Sequence, residues 1–173
     1  MDLSRQTDLG RINNRLALHQ QHLEPAPHST AKQSPTMAAR DPITCHVLNT
    51  LTGTPAANLP VTLTQMTSST SSPVTFQATT NADGRVANWT PVSGSASVPS
   101  ILSALPAADS KTNWALRFET GPWYEAQGIE SFWPEVEVKF TVKGRGREGE
   151  EGWRHYHVPV LLGPWNYSTY RGS

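Results

Sequence analysis

The sequence predicts an all-β fold, an antiparallel β-sandwich of seven to eight short strands with one short helix. Three observations predict it. From about Pro42 onward, short runs alternate apolar and polar residues with the period of a half-buried strand. Turn residues separate these runs, as at Thr52-Gly53-Thr54-Pro55 and Asn81-Ala82-Asp83-Gly84. No internal repeat and no alternation of strand with long helix occurs, which argues against a parallel α/β sheet.

Taken in order, Ile43 to Thr50 forms the first strand, and Leu59 to Met66 the second, with Leu59, Val61 and Leu63 against polar neighbours. Ser68 to Ser72 reads as a flexible polar loop before the run Val74 to Thr80. Arg85 to Trp89 leaves the Asn81–Gly84 turn, and Pro91 to Thr112, rich in Ser, Ala and Pro, is expected to be a long insertion loop. Trp114 to Thr120 alternates again. Pro122 to Gln127 fits a short helix, opened by a proline at its first position and closed by Gly128. Pro134 to Val142 places Val136, Val138, Phe140 and Val142 on one face and Glu135, Glu137 and Lys139 on the other. Gly144 to Gly152 reads as a mixed-charge hairpin loop, and His155 to Leu162 and Ser168 to Arg171 complete the set.

The chain of 173 residues divides into an appendage, 1–41, and one domain, 42–173, with the insertion at 91–112. In the appendage Ile12, Leu16 and Leu23 recur at helical spacing, and Pro25, Pro27 and Pro35 then impose a linker. Lys plus Arg balance Asp plus Glu at 14 each, so charge makes no case for nucleic acid or an anionic membrane. Acidic residues cancel the basic ones in the Gly144–Gly152 stretch, which weighs against an RNA-binding reading. The longest apolar run, Val158 to Leu162, is too short to cross a bilayer. The N-terminal residues carry no apolar signal-peptide core, so secretion is not expected. The single cysteine, Cys45, excludes an intrachain disulfide and reads as a small strand residue.

The end of the chain is unusually rich. Domain termini are loose unless tied down, yet here His155 and His157 are followed by Tyr167-Ser168-Thr169-Tyr170-Arg171-Gly172-Ser173. The two histidines, two apart in a strand, project from one face. His46 lies in the first strand, and Arg85 directly follows a turn. Three uses of this set are open. Strand histidines can be plain surface residues. A His-x-His pair can bind zinc, although no clear carboxylate partner or second cysteine accompanies it. Histidines also take protons near neutrality, and an arginine can offset charge developing on a carbonyl oxygen.

Three separated segments carry a resemblance. Cys45-His46-Val47-Leu48-Asn49-Thr50 with Thr52-Gly53-Thr54-Pro55-Ala56 resembles the opening strand of the transthyretin-like 5-hydroxyisourate hydrolases. Asn81-Ala82-Asp83-Gly84-Arg85 resembles their second motif. His155-Tyr156-His157-Val158-Pro159, running on to Tyr170-Arg171-Gly172-Ser173, is similar to their C-terminal signature almost letter for letter. Phe132-Trp133-Pro134-Glu135 stands where that family has an aromatic-Pro-Glu segment.

The resemblance implies a transthyretin-like β-sandwich that hydrolyses 5-hydroxyisourate in urate degradation, as a homotetramer with sites between subunit pairs and with no metal or organic cofactor. Carried over by position, catalysis falls on His46, Arg85, His157 and Ser173, and substrate binding on His46, Arg85 and Tyr170, with His155 in support. The alternative on the same scaffold is a small-ligand carrier without catalysis. The appendage adds an address: Arg15-Leu16, five residues, then His22-Leu23 fits the N-terminal peroxisomal targeting pattern for an import receptor, and a C-terminal Ser-Lys-Leu tag is absent. Without that signal the protein is expected in the cytoplasm.

Overall fold

The computed structural model describes residues 40–66, 73–145 and 148–172. Residues 1–39, which carry the targeting signal and nearly all of the linker, the whole Ser68–Ser72 loop, and Ser173 lie outside the described residues. Among the described residues ten strands make two five-stranded sheets. One contains β1 (Ile43–Asn49), β2 (Thr54–Pro55), β5 (Arg85–Val86), β9 (Tyr156–Leu162) and β10 (Tyr167–Thr169), in the order β10-β9-β1-β2 with β5 also on β1. The other runs β6 (Thr90–Pro91), β4 (Val74–Thr79), β3 (Pro60–Met66), β7 (Lys111–Phe118), β8 (Val136–Lys143). Among the same residues, two six-residue helices lie off the sheets, α1 (Val98–Ser103) and α2 (Thr120–Glu125).

Alternation decides which side chains meet between the sheets. Ile43, Cys45 and Val47 of β1 and Val158, Val160 and Leu162 of β9 face Val61, Leu63, Phe76, Trp114, Leu116 and Phe118 of the opposite sheet, all buried. Removing that much apolar surface from water is the main source of stability, at about 25 cal/mol per Å². Cys45 has no exposure, and burial pushes its thiol up to about 12, so it packs as a small inert apolar residue. Buried Tyr124 of α2 fastens the helix to the first sheet, its one hydroxyl proton shared between Asn49 Oδ1 at 3.1 Å and the Leu162 carbonyl at 3.0 Å.

The two-layer sandwich is as expected; four details differ. The pairing of β1 with β9 is parallel, Thr44 beside His157 and His46 beside Pro159, because the intervening chain crosses through the other sheet before returning. The strands on either side of Gly144–Gly152 are not hairpin partners, since β8 pairs with β7 while β9 belongs to the other sheet, although Arg145 N donates to the Gly152 carbonyl at 3.1 Å. The stretch 91–112 holds α1, opened by a capping box in which Ser97 Oγ accepts from Ser100 N at 3.2 Å and Ser100 Oγ from Ser97 N at 2.9 Å. Six residues are too few to show helical periodicity, and only Val98 and Leu102 are buried. Helix α2 begins at Thr120, two residues before the expected Pro122, and Gly128 then takes a left-handed φ of 72°.

Candidate active site

The outer face of the first sheet is where the chemistry collects. Strand alternation that buries Ile43, Cys45 and Val47 turns Thr44, His46 and Leu48 outward. In β9 it turns out His157, Pro159 and Leu161. The parallel register then sets His157 next to Thr44, and the ring centroids of His46 and His157 lie 6.4 Å apart.

Arg85 reaches this face through a tightly specified turn. Asn81 Oδ1 accepts from the amides of Asp83 at 3.0 Å and Arg85 at 2.9 Å, and Asn81 N donates to the Arg85 carbonyl at 2.9 Å. Gly84 has φ of 70°, and a β-carbon there would collide with the Val47 carbonyl oxygen. Glycine is therefore required for the turn to lie flat against β1, where it pairs Arg85 with His46.

The chain end closes another side. After β10, Gly172 N donates to the His157 carbonyl at 2.9 Å, and a β-carbon on Gly172 would stand 2.8 Å from His157 Cδ2. Arg171 lies with its guanidinium carbon 5.4 Å from the Tyr156 ring centroid. Tyr170 is 62% exposed and, with His157, Phe140 and Arg171, lines a cavity of about 240 Å³.

Two residues that sequence reasoning left aside or ranked low complete the arrangement. Thr44 Oγ1 is 2.8 Å from His157 Nδ1 and 3.1 Å from His155 Nε2. Trp153 stacks on His155, centroids 6.5 Å apart at 19°. The available signal for Thr44 was its place two residues before His46, hence on the same strand face.

Electrostatics favour neutral imidazoles. Burial and the nearby Arg85 guanidinium hold His46 below the ordinary value of 6.5, against a hydrogen bond to the Asp83 backbone and that residue's carboxylate. His157 is lowered by burial, then by Arg85, His155, His46 and Arg40. His155 is lowered by burial and Arg40, with Glu148 opposing. A neutral histidine can accept a proton, and a guanidinium, always charged, can face an anion. Among the described residues no three His, Cys, Asp or Glu side chains converge as metal ligands. The site thus offers the Arg85 guanidinium beside the proton-accepting imidazoles of His46 and His157. Of the predicted residues, His46, Arg85 and His157 come together, Tyr170 stands at the rim, and Ser173 lies outside the described residues.

Comparison with known proteins agrees on one group. The profile of the HIUase/Transthyretin family matches residues 43–172. A probable 5-hydroxyisourate hydrolase of Schizosaccharomyces pombe is 37% identical over 134 residues, 76% of this chain and 90% of its own length. The 5-hydroxyisourate hydrolase of Mus musculus is 34% identical, covering 76% of this chain and 95% of that protein. In three dimensions the chain is similar to a Klebsiella pneumoniae 5-hydroxyisourate hydrolase, with TM-score 0.51, 30% identity, and coverage of 76% of this chain and 98% of that one. Sparus aurata transthyretin, at 23% identity and TM-score 0.57 over 77% of this chain and 97% of that one, shares the fold.

Proposed function

The chain belongs to the HIUase/transthyretin family, and from that membership we propose that it hydrolyses 5-hydroxyisourate in urate degradation. The observation that carries the reading is the meeting of His46, Arg85 and His157 on one sheet face, together with hydrolase relatives at 34–37% identity. A bare carrier has no need of neutral histidines beside a guanidinium.

The substrate is a flat, anion-prone purine derivative with several carbonyls. Arg85 holds it and faces the oxygen on which charge develops. Water attacks a ring amide carbonyl, its oxygen bonding to carbon while His157 or His46 takes the proton. The two imidazoles interact, so the proton belongs to the pair rather than to one ring. Breaking the carbon–nitrogen bond then returns a proton to the ring nitrogen and leaves a carboxylate. The product of that opening is 2-oxo-4-hydroxy-4-carboxy-5-ureidoimidazoline. Tyr170 supplies an aromatic wall, and Ser173, by hydroxyl or carboxylate, fixes a histidine tautomer. No step calls for a metal or organic cofactor.

In a single chain the site is open to solvent, with Tyr170 and Arg85 exposed. A homotetramer with sites shared between subunit pairs closes it, and residues Arg15, Leu16, His22 and Leu23 direct the protein to the peroxisome by an import receptor. The test is direct. 5-Hydroxyisourate is generated from urate with urate oxidase, the protein is added, and ultraviolet decay is followed with and without a chelator. Accelerated decay that survives the chelator is expected; decay at the spontaneous rate would refute the hydrolase. A fluorescent fusion of residues 1–40 tests the address, and diffuse fluorescence would refute it.

A further inference from the structure

Thr44 has a single hydroxyl proton and two histidines to satisfy. It is buried, at 5% exposed, and its Oγ1 lies 2.8 Å from His157 Nδ1 and 3.1 Å from His155 Nε2. A hydroxyl donates once and accepts twice. With both rings neutral, two arrangements use the proton fully. In the first, His157 carries its proton on Nδ1 and donates to Oγ1, which donates to His155 Nε2. In the second, His155 donates, Oγ1 donates to His157 Nδ1, and the His157 proton sits on Nε2. If both rings donated to Oγ1, the hydroxyl proton would have no acceptor there, and a buried unpaired donor costs about 1–3 kcal/mol.

The two arrangements differ at the reacting nitrogen. Nδ1 is committed to Thr44, so Nε2 is the nitrogen left for a ligand. Only the first arrangement presents a lone pair at Nε2. It is also the only one that accepts a proton there without reorienting Thr44, because imidazolium keeps Nδ1–H pointed at Oγ1. Groups that need no rearrangement when charge moves are the ones that lower a barrier.

We propose that Thr44 is a positioning residue that sets the tautomer of His157, with His155 Nε2 as the acceptor that fixes the direction of the hydroxyl. This rests on the hydrolase reading above and deepens it: Thr44 touches no substrate and acts through His157. The supporting role expected of His155 thereby becomes specific, and its ring lies near parallel to those of Trp153 and His157, centroids 6.5 and 6.3 Å away.

Thr44→Val keeps the β-branched shape of a central strand and removes only the hydroxyl. Its kcat on 5-hydroxyisourate should fall by about 30-fold or more, with KM within about threefold, because a misplaced tautomer removes general-base action while binding groups remain. Thr44→Ser should restore kcat to within about threefold, since the hydroxyl returns. Nitrogen-15 NMR of the wild-type protein near neutral pH should show His157 protonated on Nδ1 and bare on Nε2, and Thr44→Val should lose that preference. An unchanged kcat in Thr44→Val, or a wild-type His157 protonated on Nε2, overturns the proposal. If Thr44→Val does not fold, the wild-type spectrum and the serine variant still decide. Should the wild-type protein fail to accelerate 5-hydroxyisourate decay, the hydrolase reading falls, and the spectrum alone judges Thr44.

Discussion

Replacing Gly172 by alanine tests whether the chain end belongs to the site. The added β-carbon would stand 2.8 Å from His157 Cδ2 and 3.0 Å from Pro159 Cγ. Ordinary carbon contacts lie at about 3.5 Å or more, so the ring or the tail must withdraw by about 0.7 Å. Pro159 is locked in the sheet beside His46. The tail is held here by the short bridge of Gly172 to His157, with Gly172 N donating to the His157 carbonyl, a bond worth about 1 kcal/mol. The tail therefore yields first and carries Tyr170 and Arg171 with it. A misplacement near 1 Å at a reacting centre costs about 100-fold in rate, so Gly172→Ala should lower kcat/KM by roughly 10- to 100-fold. Global stability should change little, because terminal segments open independently of the core. The assay pairs initial rates on freshly generated 5-hydroxyisourate with a thermal melt. A variant with wild-type kcat/KM would show that the tail does not shape the site.

His157→Asn and Arg85→Gln should each reduce kcat by about 100-fold or more while the fold persists, as expected for removal of a proton acceptor and of charge stabilisation; unchanged turnover in either would remove that residue from the mechanism. His46, His155 and His157 all have folded pKa values held below 6.5. As pH falls below 6.5 the unfolded chain therefore takes protons first, and stability falls until the lower folded values are passed. The urea midpoint should drop between about pH 7.5 and 5.5, where carboxylates scarcely titrate, and the acid limb of kcat/KM should lie below 6.5; a limb above it would contradict the direction of the shifts. Gly84→Ala forces a β-carbon into the Val47 carbonyl at positive φ. It should destabilise the protein by about 2 kcal/mol or more and impair Arg85-dependent binding, read by urea unfolding and KM. Tyr124→Phe deletes the hydroxyl bonds to Asn49 and Leu162 and should cost about 1–2 kcal/mol in urea unfolding with activity retained.

Local chemistry was legible in the sequence wherever it is written in neighbouring residues. Alternation marked Val61 and Leu63 as core and His155 and His157 as sharing a face. Asn81-Ala82-Asp83-Gly84 announced a turn that delivers Arg85, and the structure shows why, in the Asn81 side-chain bonds and the left-handed Gly84. Helix α1 was not legible, because two buried residues in a serine-rich stretch carry no periodicity.

The sequence by itself therefore determined the faces: which side chains of each strand point inward, where the chain turns, and which residue types the site can draw on. Only the tertiary structure decided the neighbours. Period-two alternation names the face of a residue but not its partner across the sheet, nor whether that partner runs parallel. The parallel register of β1 on β9 is set by how the two sheets bury their inner faces against each other. That register brings Thr44 beside His157 across 113 residues of chain. It converts three separated motifs into one proton-accepting site beside an arginine.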